Sequence, residues 1–560
     1  MATKRLSAAL LVSALLAAPA LAQKPQYGGS LEIGTVYATI SALSFDPQDF
    51  AWKLNHDSGP YLETLFAGDL DKSVRRGGKY SFRPDAWVPS DALRGELAES
   101  WTWQDNPLAV VVKLRHGVMW PAKGGVMDSR EFTADDVLFS FNRQNASPKK
   151  VSGYFDHVDK VEATDRHTVT FFMKDYNAEW DYRFGWGYYS QIIPPELAKA
   201  GAGNWKNAVG TGPFQLVDYV QGNSQTYAKN PIYWDTDTIG GEKYKLPFVD
   251  RVTYRIMKDE ATQHSALRTG KIDMLEAIRW QAVDSLKKSA PQLQWAKWLS
   301  MSGTFLSMRT DTKPFDDVRV RRALNLAVNK QEIVREYYGG NAELFAYPQH
   351  PDYVGYFETL ETMPDSVKEL YTYNPDKAKK LLAEAGYPNG FTFKTQVCSC
   401  SPDNMDLLPL VAGYLEQIGV KIEIQPMEYG AFLSAMTTAK HTAGYFMSNG
   451  HTNPTTTIRK SFTPGQLWGP SMLFSADYTA KMAEVYRTRD EATRMSMLRA
   501  MTREAIDQAP YVWLPVPYVY SAWWPWVKNY DGELRVGAVK PGPVYARIWV
   551  NQDLKRRLGH

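Results

Sequence analysis

The sequence predicts a mixed α/β protein built in two or three lobes. Three observations predict it. Short apolar strands alternate with well-capped helices along the whole chain. The chain has 560 residues, and roughly 540 remain beyond an amino-terminal leader, too many for one core. No repeat of about 20–50 residues and no low-complexity tract points to a solenoid instead.

The leader comes first. Lys4 and Arg5 precede an apolar run from Leu6 to Ala18, and Ala20-Leu21-Ala22 stands before Gln23. A basic start, a short apolar stretch and a small-x-small site predict a cleavable secretory signal over residues 1–22. No cysteine sits at the cleavage point, so no lipid anchor is expected, and no later stretch is apolar for the about 18 residues that a membrane span needs. Leu31–Gly34, Val110–Leu114 and Thr168–Phe172 then read as strands. Thr133 caps a helix opening Ala134-Asp135-Asp136, where the acidic residues favour the helix dipole. Residues 210–235, GTGPFQLVDYVQGNSQTYAKNPIYWD, read as a hairpin. Gly210 and Gly212 allow backbone angles that other residues resist, and Pro213 removes a donor. Phe214 onward alternates as a strand, Gln221-Gly222-Asn223 turns, and Ser224–Ala228 returns.

Further along, Asp316 or Asp317 caps a helix with Val320, Ala323, Leu324, Ala327 and Val328 on its apolar side. Arg319, Arg321 and Arg322 are expected to face solvent. Asn374-Pro375 opens another helix, with Gly386 as its stop. Tyr511–Pro517 reads as a buried strand. Trp523-Trp524-Pro525-Trp526 reads as an exposed or cleft-lining loop, because three indoles around a proline are costly to bury together.

Composition narrows the function. The formal charge is +3, and the leader supplies two of its positive charges. A nearly neutral mature chain implies no nucleic-acid partner. The only cysteines, Cys398 and Cys400, are separated by one residue; a disulfide there closes a very small ring, and two free or irregularly bonded thiols are favoured. No metal set accompanies them. The nine histidines are scattered, with no pair at ligand spacing. No Gly-x-Ser-x-Gly elbow and no His-Glu-x-x-His is present, and Asp135 and Asp136 diverge by about 100° on a helix. No enzyme and no cofactor is expected. The 18 Trp and 32 Tyr are an unusual surplus, suited to stacking on a small organic guest.

Several segments in order carry a family resemblance. They are Leu97-Ala98-Glu99-Ser100-Trp101, Leu114-Arg115-His116-Gly117-Val118, Phe132-Thr133-Ala134-Asp135-Asp136-Val137, and Gly210-Thr211-Gly212-Pro213-Phe214. Asn230-Pro231-x-Tyr233-Trp234, Ala266-Leu267-Arg268, Gly270-Lys271-Ile272-Asp273, Phe315 to Arg321, and Ala378 to Gly390 follow. In this order the chain resembles the family 5 extracellular solute-binding proteins of bacterial ABC importers, the dipeptide/oligopeptide-binding type. The resemblance implies a periplasmic binding protein-like α/β fold of class II type, with two hinged lobes and an extra domain on the first. Residues 24–62, 205–280 and 515–553 would build lobe I, 63–204 the extra domain, and 281–514 lobe II. It implies a monomer in the periplasm that delivers its solute to a membrane permease.

In peptide-binding relatives, an Asp in a stretch like Gly-Trp-x-x-Asp-x-x-x-Pro holds the peptide's α-ammonium. Here Met447 to Pro454 is comparable, and Gly450 stands in place of that Asp. No acidic residue lies between Lys440 and Pro464. A buried ammonium without a counter-charge is costly. The expected ligand is therefore an oligosaccharide or opine-like solute, with a di- or oligopeptide as the alternative. The candidate ligand contacts are Trp280, Trp523, Phe45, Asn449 and His451, with Gly450 between the last two. Arg309, before Asp311, is a candidate partner for a ligand carboxylate, or else part of a structural ion pair.

Overall fold

A computed structural model describes residues 24–83, 87–450, 452–463, 468–473 and 475–560. The expected leader lies outside the described residues. Among the described residues, no helix is long and apolar enough to cross a membrane.

Three larger sheets organise the chain. The first has eight strands. Its path runs Phe214–Val220, Ser224–Lys229, Arg251–Arg255, Ser30–Gly34, Met274–Arg279, Val516–Trp523 and Gln294–Leu299, and Ala342–Glu343 also pairs with Val516–Trp523. Ser30–Gly34 runs parallel to both of its neighbours. The hairpin of residues 214–229 forms one edge, as the alternation predicts, with a register shift between Leu216 and Asp218. The pairings of Gln294–Leu299 and Ala342–Glu343 lie beyond residue 281, where the opposing lobe was expected to begin.

Gly210 and Gly212 are needed for space rather than for unusual angles. Neither has a positive φ. A Cβ on Gly210 would lie 1.8 Å from the Tyr61 carbonyl oxygen, because the turn packs directly on that backbone. Gly212 N–H donates to the same oxygen at 2.9 Å.

A second sheet has five strands, in the order Val420–Met427, Phe391–Cys398, Gly444–Gly450, Ser302–Met308 and Tyr511–Trp513. Its period-two alternation feeds two cores. Phe305, Tyr445, Met447 and Trp513 enter one face, while Leu306, Phe446 and Val512 enter the other. Val420–Met427 and Phe391–Cys398 alternate with polar residues, whereas Ser302–Met308 and Tyr511–Trp513 are buried almost throughout. The chain passes from Gln294–Leu299 to Ser302–Met308 through Ser300–Met301 and from Tyr511–Trp513 to Val516–Trp523 through Leu514–Pro515, and between them it visits the eight-stranded sheet at Ala342–Glu343; Ser300 N–H donates to Pro517 O at 2.9 Å. The third sheet has four antiparallel strands in the order Ala98–Asp105, Leu108–Leu114, Thr168–Met173 and Val158–Asp165. It shares one continuous apolar core with the eight-stranded sheet.

The expected caps form. Thr133 and Asp136 make a reciprocal capping box on Ala134–Asn145, Asp317 caps Val318–Ala327, and Asn374 caps Pro375–Glu384. Three expectations are corrected. Arg321 is buried, not solvated, and its guanidinium donates to the Phe315 and Gln508 carbonyls. The tryptophans at 523, 524 and 526 are buried because each indole N–H finds an acceptor: Gln294 Oε1, Leu267 O and Asp273 Oδ1 respectively. Cys398 and Cys400 are joined in a disulfide, their Cα atoms 5.2 Å apart.

Candidate functional site

A cavity of about 500 Å³ opens between the eight-stranded and five-stranded sheets. That is the size class of a small-molecule site. Its near wall is the turn Thr35–Ile40, which leaves the strand Ser30–Gly34, together with Trp52. Tyr154, Tyr188 and Tyr189 close one side. The far wall carries Met301, Ser302, the Cys398–Cys400 disulfide, Phe432, Met436, Met447, Asn449 and Gly450, with Tyr429 and Trp468 adding rings.

Pairing of Ser302 with Gly450 brings both strand ends to the cavity. Just beyond, Asn453 caps the helix Pro454–Phe462, accepting from Thr456 N–H at 2.6 Å, with Pro454 at its first position. This helix places Arg459 and Lys460 against the far wall. Lys460 Nζ donates to Asn449 Oδ1 at 2.9 Å and to the Gly450 carbonyl. Among the described residues, no carboxylate bonds to it. Burial, with Arg459 adding repulsion, lowers its pKa from the ordinary 10.5 to about 7. Its side chain still presents some surface to the cavity. Arg459 lies 4.0 Å from Glu179, whose carboxylate is already engaged by Arg183 at 3.0 Å and by the Thr456 hydroxyl.

The other end carries acids. Arg279, ending the strand Met274–Arg279, bonds to Glu260 at 2.6 Å and to Asp406 at 2.7 Å. Asp403 accepts from the Tyr337 and Tyr338 hydroxyls at 3.0 and 3.1 Å, and burial raises its pKa. Asp403 and Asp406 belong to the helix Pro402–Glu416, which packs on the five-stranded sheet. Arg279 thus bridges the two sides of the cavity. Trp52 Nε1 donating to Tyr429 Oη at 2.8 Å is a second bridge.

Of the residues expected from sequence, Asn449 and Gly450 line the cavity. His451 lies outside the described residues. The others stand elsewhere for clear reasons. Trp280 begins the helix Trp280–Ser289 and packs with a helical core of the five-stranded sheet, against Gly339. Trp523 is only 3% exposed, edge-on to Tyr530. Phe45 packs edge-on to Tyr219, 5.1 Å between centroids. Arg309 forms the structural pair, bidentate to Asp311 at 2.9 and 2.7 Å and bonded to the Ala439 carbonyl. Sequence reasoning missed Arg459, Lys460, Trp52 and Tyr429. Asn453-Pro454 is the same cap signal as Asn374-Pro375, and reading it would have set a helix through Lys460.

The family model for bacterial extracellular solute-binding proteins, family 5 (middle), matches residues 92–466. That is more than half of the chain, and the chain belongs to this family. Members are transport receptors rather than enzymes: periplasmic substrate-binding components of ABC importers, which bind small solutes and work with a membrane permease. Among relatives, heme-binding protein A of Haemophilus influenzae is 28% identical over 77% of this chain and 79% of its own. Glutathione-binding protein GsiB of Escherichia coli (strain K12) is 26% identical over 90% and 95%. Two solved structures share the fold. DppA from Helicobacter pylori, in complex with the peptide STSA, superposes with a TM-score of 0.77 at 23% identity, covering 94% of this chain and 98% of that one. AgaA from A. tumefacien R10, in complex with agropinic acid, gives 0.74 at 20% identity, covering 93% and 99%.

Proposed function

We propose that this receptor captures a small, acid-bearing organic solute of opine-like type between its lobes. The observation that carries this reading is the Lys460 ammonium. It donates to the carbonyl of Gly450, the residue that the family resemblance sets in place of the Asp that holds a peptide ammonium. A buried cation without a carboxylate costs several kcal/mol. A ligand carboxylate offsets that cost, whereas a peptide α-ammonium adds to it and a neutral oligosaccharide leaves it standing. The tyrosines, Trp52 and Trp468 supply ring faces for the rest of the guest. AgaA, similar in fold, was solved with an acid of this kind, agropinic acid.

The division of labour follows. Lobe I is built on the eight-stranded sheet and lobe II on the five-stranded one, with the crossings near residues 300 and 515 as the hinge. The segment 63–204, holding the four-stranded sheet, is the extra domain. The mature protein acts as a monomer in the periplasm, freed of residues 1–22, and delivers its solute to the permease.

A thermal-shift screen of the purified mature protein with opines, neutral oligosaccharides and di- to pentapeptides tests the reading. Stabilisation by acidic opines is expected. Stabilisation by peptides alone supports the peptide-receptor alternative and overturns it, and stabilisation by neutral sugars alone removes the acid.

A further inference from the structure

Outside the cavity lining, the four-stranded sheet of residues 98–173 brings together two histidines that are distant in sequence. His116 sits in the turn after the strand Leu108–Leu114, and His167 in the turn between Val158–Asp165 and Thr168–Met173. Their ring centroids are 3.9 Å apart. Glu131, at the end of the short strand Arg130–Glu131, places Oε1 3.2 Å from His167 Nε2. One ligand atom from each of the three lies within 4.8 Å of the others. Sequence spacing hides this group because each member comes from a different connection.

The backbone beneath them is already tied. Leu114 N–H donates to His167 O at 2.8 Å, Phe132 N–H to Val118 O at 2.8 Å, and Gly117 N–H to Glu131 Oε1 at 2.9 Å. The ordering of these segments therefore precedes any ligand, which favours binding. No hydrogen bond holds the exposed His116 ring among the described residues, so it can rotate inward by the ångström or so that bonds of about 2.0–2.1 Å to an ion require. Gly117 N–H already takes one lone pair of Oε1, and a second group competes for the carboxylate. Arg166 Nη2 reaches Glu131 Oε2 at 3.0 Å, but this arginine is largely exposed and such surface pairs are weak.

We propose that His116, Glu131 and His167 form a surface site for one divalent transition-metal ion. Two imidazoles and one carboxylate suit Zn²⁺, Ni²⁺ or Cu²⁺ rather than Ca²⁺ or Mg²⁺, which prefer all-oxygen sets. Three protein ligands leave at least one coordination position for water or an exogenous group. The ion would lock two turns and the short strand Arg130–Glu131 together, independently of what the cavity carries.

The test is calorimetric titration of the untagged, chelator-stripped mature protein with ZnCl₂ and NiCl₂, and with CaCl₂ and MgCl₂ as controls. Saturable one-to-one binding of Zn²⁺ or Ni²⁺ only is expected. His116→Ala and His167→Ala should each weaken it by about tenfold or more, through loss of one coordinate bond. Circular dichroism and the Tm of the metal-free His116→Ala variant check that its fold is kept. Arg166→Ala should tighten binding, because the guanidinium no longer competes for Oε2. His560→Ala should leave it unchanged. Absence of saturable binding, or binding retained in full by His116→Ala, would overturn the site.

Discussion

Lys460 holds a charge at a place that does not repay it. Its folded pKa, about 7, lies below the ordinary 10.5. Between those two values the unfolded chain binds a proton that the folded chain has released. Ligand-free stability from this residue therefore rises with pH across that window and is lower below it. Lys330, buried on the Asn325 and Leu370 carbonyls, is lowered to about 7 as well and adds the same slope. The difference between wild type and Lys460→Met isolates one from the other: urea unfolding at several pH values should give a shallower slope in the variant. The same variant should bind an acidic opine about ten- to a hundredfold more weakly, as loss of a charge-assisted hydrogen bond implies. In the wild type, affinity for that acid should fall from about pH 6 to about pH 9, since the ammonium must be charged to hold it; a flat profile by calorimetry would exclude the contact. At Gly210 the outcome is steric. Gly210→Ala drives a Cβ into the Tyr61 carbonyl, and a cost of about 1–3 kcal/mol in urea unfolding is expected. Gly450 was expected at the ligand from a motif, and it lines the cavity. Lys460 was not expected there, because it reaches back to the Gly450 carbonyl from the following helix.

Elements explain which readings succeed. Thr133, Asp317 and Asn374 announce their helices through chemistry local to one turn, and local chemistry is what a sequence displays. Arg321 and the tryptophans at 523, 524 and 526 depend on acceptors contributed by remote segments: Phe315 and Gln508 for the first, Gln294, Leu267 and Asp273 for the others. Polarity alone sends such residues outward, and only the fold shows the partners that let them in. The helix Pro454–Phe462 is the element on which the site depends. Its Asn453 cap satisfies Thr456 N–H. Asn453→Ala should cost about 1 kcal/mol of stability, the usual worth of a cap, and should weaken acid binding by displacing Lys460. Retained affinity with lowered Tm would separate the cap from the site.

At the scale of the molecule, two contacts join the walls of the cavity. Arg279 joins Glu260 to Asp406, and Trp52 joins Tyr429. Such bonds bias the equilibrium toward the closed form by their differential free energy alone. Arg279→Met should shift ligand-free molecules toward the open form, seen as a larger radius of gyration in small-angle scattering, with weaker binding of any solute. An unchanged radius would show that closure does not rest on this bridge. The two-lobed architecture was legible from ordered family segments. The passage from one sheet to the other was expected near 281, but the pairing of Gln294–Leu299 carries it to about 300. Strand partners so far apart in the chain leave no mark on local composition.

The sulfur bridge in the far wall offers a built-in gauge of occupancy. Cys398 and Cys400 border the space a guest would fill, so a captured molecule stands between them and any small reductant arriving through the cleft. Cleavage by dithiothreitol, followed by alkylation and mass spectrometry, should slow in proportion to saturation, giving a footprint of binding that needs no dye or label.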